Sequence, residues 1–164
     1  DRETLELATE IARVIHKRKK IFIVNNRTDI ASLAGADGIH LGRNDINTEA
    51  ARSILGPHKI IGRTIHHLHE LKSLNRNNID YFSVGPVFAT KTKPSLKPIS
   101  RNSLSKIVNS VNKPLFAIGG INLRNLHLLL EKSIKNVSLC RGIILEKDMN
   151  KTIKELKKCL VAHS

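Results

Sequence analysis

Short apolar runs with no polar interruption alternate with segments of helical periodicity along almost the whole chain, and few folds tolerate that pattern. Ile21-Phe22-Ile23-Val24, Gly38-Ile39-His40-Leu41, Lys59-Ile60-Ile61-Gly62 and residues 81–84, 114–118 and 136–140 read as six strands. Helices are expected after them, over residues 30–34, 48–55, 66–75, 102–111, 123–131 and 150–161, with Gly35 and Gly56-Pro57 as stop signals. A leading helix is expected over residues 3–17, where Leu5, Leu7, Ala8, Ile11, Ala12, Val14 and Ile15 recur at helical spacing. The terminal helix is expected to turn Ile153, Leu156, Leu160 and Val161 inward.

Continuous apolar strands separated by helices imply a parallel sheet with its outer side covered. A repeat of about 20–30 residues per strand–helix unit suits a (β/α)8 TIM barrel, which needs eight strands. This chain supplies six, plus a helix with no strand before it. The expectation is a single partial TIM-barrel domain over residues 1–164, with about two strands and one helix missing from its N-terminus. The first residue is Asp1, which reads as a cut or processed start. A doubly wound open sheet is the structural alternative.

Composition narrows the function classes. At 164 residues the chain is long enough for one domain with a real core. No apolar run approaches the roughly 20 residues that span a bilayer, and no secretory pattern opens the chain. Cys140 and Cys159 are the only cysteines and show neither metal spacing nor a disulfide framework, so a reducing, cytoplasmic setting is expected. The formal charge of +14 raises nucleic-acid binding. Only 3% of residues are aromatic, which leaves few stacking platforms, and Lys, Asn and Ile abound throughout. Part of the charge is therefore read as compositional, with nucleic acid disfavoured. A homo-oligomer is compatible with the sequence.

The strand ends carry the chemistry. Active groups of (β/α) barrels sit at the C-terminal ends of the strands. Here those ends bear Asn25-Asn26-Arg27, Gly42-Arg43-Asn44-Asp45, Arg63-Thr64, Thr90-Lys91-Thr92-Lys93, Gly119-Gly120 and Arg141-Gly142. Two hydroxyls and two ammonium groups within four residues suit a phosphate or pyrophosphate. The Gly119-Gly120 pair lets backbone N–H groups approach an anion closely. Each end taken alone has an ordinary reading: Asp45 as a helix cap, Asn25-Asn26 as a turn, residues 90–93 as a solvated loop. Six polar strand ends in one chain favour a phosphorylated small substrate. His66, His67 and His69 form no convergent ligand set, so zinc is not expected there. His40, inside a strand, reads equally as a satisfied core histidine or a functional one. No nucleophile–base pair stands out.

The chain resembles the thiamine phosphate synthases. The resemblance rests on Phe22-Ile23-Val24-Asn25-Asn26-Arg27-Thr28-Asp29, on Gly35-Ala36-Asp37-Gly38-Ile39-His40-Leu41-Gly42, on residues 85–93 and on Ala117-Ile118-Gly119-Gly120-Ile121-Asn122. It runs from about residue 5 to about residue 146. It implies a TIM barrel for thiamine biosynthesis that couples 4-amino-2-methyl-5-hydroxymethylpyrimidine diphosphate to a thiazole phosphate and releases pyrophosphate. Mg²⁺ is the implied cofactor, assisting departure of the diphosphate. By position, the resemblance makes Asp45 a Mg²⁺ ligand, puts Asn25 on the pyrimidine diphosphate side and makes Thr64 a pyrophosphate-contacting hydroxyl. It gives Thr90 and Thr92 the thiazole phosphate, with Gly120 beside it, and Lys93 the diphosphate. Asn26, Arg27, Gly119, Arg141 and Gly142 complete the expected substrate-binding set.

The chain departs from that family's pattern in several places. Asn26 stands where the family usually has Asp, removing one of two Mg²⁺ carboxylates. Arg141 lies near a usual Ser, and Gly42-Arg43 replaces a usual Gly-Gln. The family's second strand carries a Gln-x-Arg-x-Lys grip on the diphosphate, and the chain begins after it. Thiazole tautomerases share the barrel and the glycine pocket. Arg63-Thr64-Ile65-His66 leans towards them, while Pro86 stands where they tend to place a histidine. The synthase is the favoured reading; a tautomerase and a phosphate-binding barrel without turnover are the alternatives.

Overall fold

Residues 1–162 are described by the computed structural model. They divide into two compact units. The first takes Asp1–Thr64 and Ser73–Phe82; the second takes Ile65–Lys72 and the described chain from Ser83 on.

The first unit opens with α1 (Arg2–Lys17) and β1 (Ile23–Asn25), followed by α2 (Thr28–Leu33), β2 (Gly38–Leu41), α3 (Thr48–Leu55) and β3 (Ile60–Ile65, all but its last residue). A short 3-10 turn (Arg76–Asn78) leads into β4 (Tyr81–Val84), whose second half belongs to the second unit. Strands β1, β2 and β3 pair in parallel, with Ile39 opposite Ile61, His40 opposite Gly62 and Leu41 opposite Arg63. Successive side chains of a strand point to opposite faces. Ile39, Leu41 and Ile61 accordingly enter one core with Ala31, Ala36 and Ala51, while His40 and Gly62 share the other face. A second cluster of Ala8, Ile30 and Ala34 packs α1 onto α2.

The second unit holds α4 (Glu70–Ser73, all but its last residue), α5 (Arg101–Ser110), β5 (Leu115–Ile118), α6 (His127–Leu130), β6 (Asn136–Ser138), α7 (Arg141–Ile144) and α8 (Met149–Val161). Strands β5 and β6 pair in parallel. The strand order is β1-β2-β3-β4-β5-β6, the sequential order of a repeated β–α chain. Among the described residues, no helix is long and apolar enough to cross a membrane.

Several elements differ from their sequence-based expectation. The first strand starts at Ile23, and Ile21 is 66% exposed. Phe22 is instead held by Asp37, whose carboxylate accepts the Phe22 N–H at 2.7 Å while the Asp37 N–H donates to Phe22 O. Strand β3 continues through Arg63 and Thr64 to Ile65. The helix expected over residues 66–75 shrinks to α4; residues 67–72 wind through turns closed three residues apart, and the Glu70 carboxylate accepts the His66 N–H at 2.8 Å at their start. The helix expected over 123–131 shrinks to α6. Asn125 Oδ1 accepts the Asn122 N–H and Asn122 Oδ1 accepts the Arg124 N–H, as caps of a segment that first winds through turns closed three residues apart. In α8, Leu156 is buried as expected, but Val161 is 73% exposed and Thr152 takes a buried place.

Candidate active site

In the first unit, Asn25 ends β1 and Asn26 follows with φ +69°, a left-handed conformation that asparagine tolerates better than most residues. The Asn26 N–H donates to His40 O at 2.9 Å. Its side-chain amide donates to Asp45 Oδ1 at 3.0 Å, and the Gly42 N–H donates to Asp45 Oδ2 at 2.6 Å. Asp45 is therefore not the cap of α3. That role falls to Asn47, whose side chain accepts the Ala50 N–H at 2.7 Å. Arg27 spends its guanidinium on Asp29 through Nε and Nη2, and on Asp1 through Nη1. That hydrogen-bonded fork holds the Asp29 carboxyl down at about 2.

Further along the same face lies a row of polar groups. His40 Nδ1 is hydrogen-bonded to the Tyr81 hydroxyl at 2.9 Å, and Nε2 to Thr64 Oγ1 at 2.7 Å. The His40 and Tyr81 rings are stacked with centroids 5.5 Å apart. Gly62 makes room for them, since a Cβ there would lie 2.1 Å from Tyr81 Cζ. Burial pushes the Tyr81 phenol up to about 12. Sequence reasoning singled out Thr64 but passed over Tyr81. The legible signal was the strand phase: a histidine between two core residues, with a glycine as its cross-strand neighbour.

In the second unit, residues 85–93 are anchored to the turn after β5. The Val87 N–H donates to Ile118 O at 2.9 Å and the Phe88 N–H to Gly119 O at 3.1 Å. His66 Nδ1 donates to Gly85 O at 2.6 Å, and the Ile99 N–H to Pro86 O at 2.8 Å. Gly119 and Gly120 have φ of +100° and +66°, and a Cβ on Gly120 would stand 2.4 Å from Ala89 O. Only glycine accepts both demands at once. Asn125 Nδ2 donates to Gly120 O at 2.9 Å and fixes the far side of the turn. Gly142 packs on the same turn, its absent Cβ 2.2 Å from Ile121 O, which sets Arg141 beside it at the start of α7. Thr90 is half-buried and its Oγ1 accepts the Thr92 N–H at 3.2 Å; Lys91, Thr92, Lys93 and Arg141 are exposed.

The donor set for a divalent ion is sparse. Among the described residues, no group of three or more His, Cys, Asp or Glu side chains is placed to hold a metal. Asp45 accepts one hydrogen bond on each oxygen, so each retains a lone pair. Such a carboxylate fits Mg²⁺ bound by one protein oxygen together with water and phosphate oxygens; it does not fit an all-protein cage. The His67 and His69 rings stack on each other at 5.4 Å.

Comparison with known proteins converges on one family. A family model described as Thiamine monophosphate synthase matches residues 1–143. A thiamine-phosphate synthase of Prochlorococcus marinus is 37% identical over 148 residues, covering 90% of this chain and 42% of that protein. One from Fusobacterium nucleatum is 37% identical over 151 residues, covering 92% of this chain and 73% of that protein. The chain thus spans less than half the length of the Prochlorococcus relative. Among solved structures, thiamine phosphate pyrophosphorylase from Pyrococcus furiosus matches with TM-score 0.88 and 31% identity, covering 99% of this chain and 78% of that one. A 3-hexulose-6-phosphate synthase from Salmonella typhimurium matches with TM-score 0.71 at 15% identity, a likeness of fold alone. With the glycine turn, the hydroxyl-and-lysine loop and the Asp45 carboxylate in place at its strand ends, the chain belongs to the thiamine monophosphate synthase family.

Proposed function

We propose that this chain carries the phosphate-recognition machinery of an enzyme that couples hydroxymethylpyrimidine diphosphate to thiazole phosphate, giving thiamine phosphate and pyrophosphate. The observation that carries the reading is the Gly119–Gly120 turn under the threonine-and-lysine loop. The left-handed Gly119 and Gly120 bring the turn after β5 against residues 86–89, whose Val87 and Phe88 N–H groups donate to Ile118 O and Gly119 O and which lead into Thr90–Lys93. The relatives' names favour this coupling over thiazole isomerisation.

In this reading Gly120 and the hydroxyls of Thr90 and Thr92 hold the thiazole phosphate, with Arg141 adding charge. Asn25 holds the pyrimidine diphosphate, Thr64 donates to its departing oxygens and Lys93 offsets their negative charge. The C–O bond to the diphosphate breaks with its electron pair leaving on oxygen, and the thiazole nitrogen captures the resulting pyrimidine-methyl cation. Stabilising the leaving diphosphate is the main task, and pre-oriented donors do this without reorganisation. Mg²⁺, held by Asp45, supplies Lewis-acid charge to that leaving group when bound. We infer further that the six strands belong to a (β/α)8 barrel, supported by the 0.88 TM-score to the Pyrococcus furiosus structure. Cys140 and Cys159, both exposed, fit a reducing, cytoplasmic setting.

The test is direct. The chain is incubated with both substrates and Mg²⁺, and pyrophosphate and thiamine phosphate are measured. Calorimetry with thiazole phosphate alone follows. The expected results are Mg²⁺-dependent release of both products and thiazole phosphate binding that Gly120→Ala weakens about tenfold or more. A chain that shows no product release and no thiazole phosphate binding defeats the proposal.

A further inference from the structure

The chain leaving β4 is tied down at consecutive residues, all within the second unit. Pro86 O accepts the Ile99 N–H at 2.8 Å, the Val87 N–H donates to Ile118 O at 2.9 Å and the Phe88 N–H donates to Gly119 O at 3.1 Å. Just before them, Gly85 O accepts from His66 Nδ1 at 2.6 Å. The first three bonds join backbone to backbone. The bond on Gly85 alone depends on a side chain. From this base the loop runs on to Thr90, Thr92 and Lys93.

The position of that bond gives it leverage. Gly85 and Pro86 are buried, and the peptide between them has a carbonyl but no N–H, because proline lacks one. A buried carbonyl needs a donor, and His66 supplies it. There is little room to tilt the peptide towards β5, since a Cβ on Gly85 would stand 2.2 Å from Ile118 O. His66 follows directly on β3, and its own N–H is held by Glu70 Oε2 at 2.8 Å, which fixes where the side chain starts. A carbonyl oxygen can only accept, so Nδ1 carries a hydrogen whether the ring is neutral or charged. In the neutral ring Nε2 then bears the lone pair.

We propose that His66 is a positioning residue: its bond to Gly85 O sets the 85–93 loop so that Thr90, Thr92 and Lys93 meet a phosphate ester already ordered. This rests on the reading of that loop as the holder of the thiazole phosphate. His66 acts through the Gly85–Pro86 peptide and needs no contact with the ligand. Without it the carbonyl loses its donor, the peptide shifts, and the ligand has to order the loop as it binds, which lowers affinity.

The test uses the full chain labelled with ¹⁵N-histidine, with long-range ¹H–¹⁵N spectra to read the tautomer. His66 is assigned by its loss in His66→Asn, and its neutral ring is expected to carry the hydrogen on Nδ1. Calorimetry then measures thiazole phosphate binding where circular dichroism shows each variant folded. His66→Leu is expected to weaken binding about three- to tenfold. His66→Asn places an amide donor at the δ position and should restore most of that loss. His66→Gln places its donor one bond further out and should restore less. Joining His66→Leu to Thr92→Val should lose less than the product of the two single losses, because both act through one loop. A role in fold stability alone would not produce that coupling. An Nε2–H neutral ring, full affinity in His66→Leu, no rescue by His66→Asn or a fully multiplicative cycle with Thr92→Val each overturns the proposal. The functional reading survives any of these as long as the wild type binds thiazole phosphate. A wild type that does not bind it removes that reading, and the positioning role with it. Should His66→Leu fail to fold, His66→Gln takes its place in the cycle.

Discussion

Replacing Gly62 with alanine tests the packing that assembles the polar face. An alanine Cβ would lie 2.1 Å from Tyr81 Cζ and 2.4 Å from Cε1 and the hydroxyl oxygen. Ordinary carbon contacts are about 3.5–4.0 Å, so the ring must move by more than about 1 Å. Tyr81 is only half-buried and can swing, but it then abandons His40. Overpacking of this kind costs about 1–3 kcal/mol, and the lost hydrogen bond about 1 kcal/mol more. The gain from replacing glycine within a strand, roughly 0.5–1 kcal/mol, offsets part of this. Gly62→Ala is therefore expected to destabilise the chain by about 2–3 kcal/mol in urea unfolding followed by far-UV circular dichroism. The double variant Gly62→Ala/Tyr81→Ala should fall short of the summed losses by about 1–3 kcal/mol, because removing the ring removes the clash. Gly38→Ala serves as the control: its Cβ would meet Ile60 backbone O at 2.1 Å, and removing the Tyr81 ring brings no relief there. A fully additive Gly62–Tyr81 cycle would refute the reasoning.

Tyr81 is the sole tyrosine and the chain has no tryptophan, so its phenolate absorbance reads this site alone. Folded chain should titrate near about 12 and unfolded chain near about 10, so stability present below pH ~10 is lost as pH rises towards ~12; a folded titration near 10 would contradict the burial. Arg52 reaches Gly56 O, Pro57 O and Lys59 O through Nη1, and Asn78 O and the Asp80 carboxylate through Nη2. Arg52→Met strips these acceptors of their donor and should cost about 2–3 kcal/mol in urea unfolding, whereas a loss under about 0.5 kcal/mol would mean that water replaces the guanidinium. Asn26→Asp exchanges the amide donor on Asp45 for a second carboxylate about 3 Å away. Without metal the variant should be less stable at neutral pH, and with Mg²⁺ it should bind the ion more tightly by calorimetry; unchanged Mg²⁺ affinity would separate Asn26 from the ion's site.

The order of strands and helices was legible in the residues because burial on both faces forces continuous apolar runs, and that signal is local. The same holds for the phase of β2, where Ile39 and Leu41 must enter the core and His40 must not. The Gly119-Gly120 turn directly after β5 was legible from its paired glycines, whereas Thr64 lies within β3 and Thr90 beyond the end of β4. Tertiary structure decided the rest. Residues 66–75 and 123–131 have helical spacing, but much of each segment winds through turns closed three residues apart, such as Leu71 N–H to Leu68 O and Leu128 N–H to Asn125 O, and only a short helix remains. Asp45 and Asn47 are equally suitable caps by residue type, and only the positions of Gly42 and Asn26 draw Asp45 away from α3. The link from Tyr81 to His40 joins residues forty-one positions apart, and its partner Thr64 lies on a third strand. No periodicity encodes such a contact, because it depends on the register of three strands and on the space left by one glycine.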